Sequence, residues 1–176
     1  LKKIKLHGPI TVSDYMYDCL LAPKYGYYNK NNVIGAKGDF ITSPEISQMF
    51  GEVLAIFLIN YWENKIKNNF NLVELGPGKG TLLKDILRTS SVNQKFLNSM
   101  SLTLIEKNKT LIDIQKKITT SANITWCEEF DIVNKNIPSI IYSNEFFDCF
   151  PVQQFHKKDK WYEKYVNYNE VDQNFT

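Results

Sequence analysis

The stretch that most constrains this chain is Asn71-Leu-Val-Glu-Leu-Gly-Pro-Gly-Lys-Gly-Thr-Leu-Leu-Lys-Asp-Ile-Leu-Arg88. The run Leu72 to Leu75 predicts a buried strand, which breaks into Gly76-Pro77-Gly78-Lys79-Gly80. Leu82, Leu83, Ile86 and Leu87 then recur at helical spacing. Strand, glycine turn and helix together offer backbone N–H groups and the positive end of a helix dipole to a ligand. Spacing narrows the ligand. A dinucleotide-binding turn needs G-x-G-x-x-G, but Thr81 stands where its third glycine would fall. A P-loop needs a glycine at that same position, so both phosphate-binding patterns fail.

Two acids flank the turn. Glu74 lies two residues before the first glycine, and Glu106 ends the next predicted strand, which starts at Ser101. A carboxylate can accept hydrogen bonds from both hydroxyls of a ribose, a role that suits Glu106. Glu74 is placed to meet an ammonium group or buried backbone donors. A ligand with a ribose, a positive amino group and no phosphate is S-adenosylmethionine. Taken alone, Glu106 reads as a solvated strand-end acid; beside the glycine turn it reads as a nucleoside ligand.

Thr11 and Asp14 make a capping-box variant ahead of Val12, Tyr15, Met16, Cys19 and Leu20, which predicts a short amphipathic helix. Residues 22–42 lack periodicity but carry Gly26, Gly35, Gly38, Tyr25, Tyr27, Tyr28 and Phe40, the composition of an ordered functional loop. Ser43-Pro44-Glu45 reads as a helix start, with Ser43 as cap and Pro44 in the first turn. Ile46, Met49, Phe50, Val53, Leu54, Phe57, Leu58 and Tyr61 continue it as the longest helix, to about Trp62, with that apolar stripe facing the core. Residues 89–100 read as a polar connection. A helix with Leu111, Ile114 and Ile118 inward follows Glu106, then strands Asn123–Cys127 and Ser139–Ser143. Strands alternating with helices imply a parallel α/β sheet with right-handed crossovers. Val152–Phe155 and Trp161–Val166, joined by a turn at 157–160, read as a hairpin.

The chain has 176 residues, room for one well-buried domain or a domain with a small appendage. A net charge of +2, with basic and acidic residues interspersed, argues against a nucleic-acid partner. No uninterrupted apolar run approaches the roughly 20 residues of a membrane span. Cys19, Cys127 and Cys149 are odd in number and far apart, and the histidines are only two. That pattern suits reduced thiols in a cytosol-like compartment, and no metal site is expected.

Four stretches then resemble the MidA-like family of S-adenosylmethionine-dependent methyltransferases, which includes mitochondrial complex I assembly-factor arginine methyltransferases. They are Gly8–Met16, Tyr25–Tyr28 with Gly38-Asp-Phe-Ile-Thr-Ser-Pro-Glu-Ile-Ser-Gln-Met-Phe-Gly-Glu52, Val73–Leu82, and Asn144-Glu-Phe-Phe-Asp-Cys-Phe-Pro-Val-Gln-Gln-Phe155. The resemblance implies a Rossmann-like class I methyltransferase sheet, incomplete at its C-terminal side, with an N-terminal helical extension. The implied division is residues 1–70 for the extension and cofactor-covering loop, and 71–176 for the core. Asp39, Thr42, Pro44, Glu74, Gly76, Gly78, Gly80, Glu106 and Asn144 are the implied cofactor residues. The implied partner is a protein substrate, a respiratory complex I subunit or its bacterial equivalent. The implied compartment is the bacterial cytoplasm, or the mitochondrial matrix in a eukaryote.

Asn144, Glu145 and Asp148 follow the last predicted parallel strand, at the sheet edge where α/β proteins bind ligands, and are the candidate catalytic residues. Glu145 and Asp148 can pair with a guanidinium and accept its proton. As structural groups, Asn144 and Glu145 would instead fix the strand-end backbone, and Asp148 would cap a short helix. Asn144 is followed by Glu145-Phe146-Phe147 rather than Pro-Pro-Tyr, which speaks against methylation of a nucleobase. Members of the resembled family are about twice as long, so the chain is expected to be an N-terminal fragment or a shortened protein. The rival expectation is a non-catalytic binding or assembly module; a nucleotide-dependent oxidoreductase is disfavoured by the missing third glycine.

Overall fold

The computed structural model of the chain describes residues 1–29, 41–119, 124–130 and 133–176. It divides into two compact units, one formed by Leu1–Val33 with Phe147–Thr176 and the other by Ile34–Phe146.

In the first unit, helix α1 (Lys2–His7) leads into strand β1 (Ile10–Thr11) and helix α2 (Val12–Met16), which continues as a π-turn through Leu21. Thr11 caps α2 as expected. Its hydroxyl accepts from the Asp14 N–H at 3.0 Å and donates to the Asp14 carboxylate at 2.9 Å.

The second unit carries the sheet. Helices α3 (Ser43–Ile46) and α4 (Gln48–Tyr61) precede strand β2 (Phe70–Leu75), helix α5 (Thr81–Ser90), helix α6 (Gln94–Ser99) and strand β3 (Met100–Ile105). Helix α7 (Lys109–Ile118) and strands β4 (Ile124–Cys127) and β5 (Ser139–Ser143) complete it. The four strands are parallel in the order β4-β3-β2-β5. Side chains of one parity line one face: Phe70 and Leu72, Leu102 and Leu104, Ile124 and Trp126, Ile140 and Tyr142. Together with Ala55, Leu58, Trp62, Leu82, Leu83, Ile86 and Phe96 they make the core.

Four expectations are corrected here. The single long helix from Ser43 is two helices, because Ser47 is extended (φ −150°, ψ 127°) and its hydroxyl accepts from the Met49 N–H at 3.2 Å, capping α4 afresh. Thr42, not Ser43, is the cap position of α3. Only part of the expected apolar stripe faces the core: Leu58 is buried and Leu54 packs against the core, while Ile46 on α3 and Met49, Phe50, Val53, Phe57 and Tyr61 on α4 are exposed. Gly51 and Ala55, continued by Trp62 just beyond the helix, complete the buried face. The reason is close approach: a Cβ on Gly51 would lie 2.6 Å from the Cβ of Asp85, so the smallest side chains mark where α4 meets α5. Arg88 on α5 bridges Glu52 at 2.9 Å and Asp85 at 3.0 Å beside that crossing. Finally, residues 94–99 are helical rather than connective, started by Asn93, whose side chain accepts from the Phe96 N–H at 3.0 Å.

The C-terminal residues belong to the first unit. Strands β6 (Phe155–Lys157) and β7 (Trp161–Glu163) form the expected hairpin in shorter form. Strand β8 (Tyr165–Val166) leaves it to pair antiparallel with β1, and β9 (Tyr168–Asn169) pairs with β10 (Asn174–Phe175).

Candidate cofactor cleft

The site is built at the carboxyl end of β2. In a parallel sheet all strands finish on the same edge, and backbone groups there have no further strand partner. Here Gly76 N–H still donates to the Ile105 carbonyl at 3.0 Å and Glu106 N–H to Cys127 at 2.9 Å, so the turns leaving β2 and β3 are tied side by side. Gly76, Gly78 and Gly80 have φ of 61°, 55° and 81°, a region L side chains avoid. A Cβ on Gly76 would strike the Phe146 ring, whereas one on Gly78 would enter open space. The first glycine is thus required by packing, and the second leaves room for a ligand.

Glu74 lies in the cross-strand row Trp126–Leu104–Glu74–Tyr142. Only 2% of it is exposed, and its carboxyl accepts from the Tyr142 hydroxyl at 3.0 Å. Burial pushes its pKa up to about 8, with the Tyr142 hydrogen bond pulling the other way. The Tyr142 phenol is itself held well above its ordinary range, first by burial and then by Glu74. Glu74 is therefore a sealed carboxyl that favours its protonated form near neutrality.

One strand away, Glu106 is half-buried and accepts from the Asn108 N–H at 2.9 Å. Burial raises its pKa, while the Asn108 and Lys107 N–H groups and the Gln115 side chain oppose the rise. Asn108 in turn caps α7 by accepting from the Thr110 N–H at 3.0 Å.

Thr42, Pro44, Glu74, Gly76, Gly78, Asn144 and Glu145 line one cleft above this edge. Gly80 lies behind it as the cap position of α5, and Glu106 stands on the neighbouring strand end. Asp39 lies outside the described residues. Asp148 sits in a 3-10 turn, Phe147–Cys149, that belongs to the other unit. Glu145 has φ 47°, uncommon for a residue with a side chain, and this strain falls at the cleft wall.

Residue-level reading missed three contributors. Glu45, read only as a first-turn acid, accepts from the Thr81 hydroxyl at 2.7 Å and joins α3 to the start of α5. Lys79 also lines the cleft. Gln115 is fully buried behind the turn and donates to the Gly78 carbonyl at 2.7 Å. Its place between Leu111 and Ile118, at i+4 and i+7 spacing, was the available signal, because a polar residue centred on an apolar helix face must find partners.

Residues 53–176 match the model of a family described as S-adenosyl-L-methionine-dependent methyltransferases. The chain is 43% identical over 180 residues to the mitochondrial protein arginine methyltransferase NDUFAF7 of Bos taurus, covering 88% of this chain and 41% of that one. The Homo sapiens protein of the same name is 41% identical, over 94% of this chain and 43% of its own length. The chain thus spans less than half the length of these curated relatives. In fold it resembles a Burkholderia thailandensis protein solved bound to S-adenosyl-homocysteine, with a TM-score of 0.76 at 22% identity, over 99% of this chain and 46% of that one. The parallel sheet with its glycine turn is accordingly a methyltransferase fold, and the chain belongs to the S-adenosyl-L-methionine-dependent methyltransferase family.

Proposed function

We propose that the cleft at the end of β2 holds S-adenosylmethionine, and that the chain is the cofactor-binding part of a protein arginine methyltransferase. The observation that carries the cofactor reading is the pairing of a sealed Glu74 with an open Gly78 on the same turn. Glu74 would take the ligand's ammonium, Glu106 its ribose hydroxyls, and the N–H groups of the turn its carboxylate. The bound cofactor supplies an electrophilic methyl group on a sulfonium. Asn144 and Glu145, which line the same cleft, would orient the incoming nitrogen, with Glu145 accepting its proton; positioning and charge complementarity provide most of the gain in such transfers.

The names of the relatives support a protein arginine as acceptor, and the family resemblance of the sequence motifs suggests a respiratory complex I subunit. The compartment that follows is the mitochondrial matrix in a eukaryote or the cytoplasm in a bacterium. Among the described residues no helix is long and apolar enough to cross a membrane. The test is incubation of the chain with methyl-labelled cofactor and complex I subunits, with label located by mass spectrometry. Label on arginine supports the reading. Binding of a subunit and of cofactor without label favours an assembly module instead.

A further inference from the structure

Gln115 lies two-thirds of the way along α7, fully buried, on no surface a ligand could reach. Its side-chain amide is committed in two directions. Nε2 donates to the Gly78 carbonyl at 2.7 Å, and Oε1 accepts from the Trp126 indole N–H at 3.0 Å. Its own backbone carbonyl accepts from the Thr119 hydroxyl at 2.7 Å. A Cβ on Gly80 would lie 3.3 Å from Gln115 Cγ and 3.0 Å from Ile118 Cδ1, so α7 is pressed against the back of the turn. A buried polar side chain is costly to keep unless its partners matter, because apolar residues would fill the space without that demand.

We propose that Gln115 is a positioning residue for the cofactor cleft: by holding the Gly78 carbonyl inward, it aims the following N–H, that of Lys79, outward toward the ligand. The geometry follows from the peptide unit. In a trans peptide the carbonyl and the next N–H point in opposite directions, and the described residues contain no cis bond. Gly78 and Lys79 both line the cleft. With φ near +55° and no side chain, Gly78 has little of its own to stop its flanking peptides from turning over. The Gln115 amide supplies that constraint and ties it, through Trp126, to the rigid sheet. Gln115 also favours the ionised form of Glu106, so one side chain supports both the turn and the ribose acid.

This inference rests on the cofactor reading above, and its test separates the two. S-adenosylhomocysteine affinity and thermal stability are measured for the full chain, Gln115→Glu and Trp126→Phe. The first variant keeps the acceptor for Trp126 but removes the donor to Gly78; the second does the reverse. Gln115→Glu should weaken binding by about tenfold or more, the scale of one unmet buried hydrogen bond, and Trp126→Phe by less than about threefold. Both should lower the melting temperature. If the two lose affinity equally, or Gln115→Glu binds like the parent, Gln115 is only a packing residue and the proposal fails. Gln115→Met, which fills the volume without an amide, carries the same expectation should the glutamate variant not fold. In the unsubstituted chain the Gln115 side-chain amide resonances should shift on titration with the ligand; unmoved resonances also overturn the proposal. A parent chain that takes up no S-adenosylhomocysteine overturns the cofactor reading itself, and this inference with it.

Discussion

The ends of β2 and β3 place the same residue type, glutamate, on adjacent strands and bury and supply it differently. Glu74 is sealed under the glycine turn with one phenolic donor, Tyr142. Glu106 stands half-buried at the end of the neighbouring strand, fed by backbone N–H groups and the Gln115 amide. A carboxyl with few donors in a dry place prefers to be neutral, and it ionises when a cation arrives. One already supplied with N–H donors resists that shift and can accept from uncharged hydroxyls. On the proposed reading the same residue type would serve an ammonium on one strand and a ribose on the next, and the difference lies in burial and in the donors each carboxyl meets.

The largest effect expected is on the turn that serves both acids. Gly78→Val forces a branched side chain into a left-handed conformation on the cleft wall, where its Cβ meets no protein atom within 4 Å. Calorimetry should detect no S-adenosylhomocysteine binding, although circular dichroism shows a folded chain. Binding that survives would mean that the two acids work without the turn.

Next comes Glu74→Gln, which should weaken the ligand about 100-fold, the scale of a lost buried charge-assisted pair. It also carries the pH signature. The folded value of about 8 lies above the ordinary value of 4.5, so the folded chain binds more protons between them. Glu74 therefore contributes its full stability below about pH 4.5, and that contribution is lost as pH rises to about 8. Urea unfolding at pH 5 and pH 8 should show a fall on the order of a few kcal/mol from this group in the parent, absent in Glu74→Gln. An identical fall in both would remove Glu74 from the account.

Glu106→Gln should cost about tenfold in affinity, since hydrogen bonds to ribose remain possible but lose their charge. A ligand lacking the ribose diol should bind parent and variant alike; discrimination there would place Glu106 elsewhere. The smallest change is Tyr142→Phe. Without the Tyr142 hydroxyl Glu74 ionises less readily, so affinity at pH 7 should fall by about threefold and its rise with pH should shift upward. An affinity profile that does not move would show that Tyr142 merely packs.

Much of this edge was legible in the chain, because glycine spacing and strand-end acids act through local backbone geometry. Gly76, Gly78, Gly80, Glu74 and Glu106 needed only neighbours within a few positions to be placed. Contacts between distant residues were not legible. Gln115 meets Gly78 across 37 positions and Thr81 meets Glu45 across 36, and no local pattern specifies either pairing. The outer face of α4 was misread for a related reason: an apolar period shows that a helix has a face, but Gly51 and Ala55, not the larger side chains, decide where a neighbouring helix can come close.

The central claim, that a sealed Glu74 receives the cationic end of a methyl-donor cofactor, has a direct test in proton release. S-adenosylhomocysteine is titrated into the full chain near pH 7 in two buffers of different ionisation enthalpy. Glu74 begins protonated and ends paired with an ammonium, so binding should release close to one proton in the parent and almost none in Glu74→Gln. Binding with no proton released, or release that persists in Glu74→Gln, would contradict it.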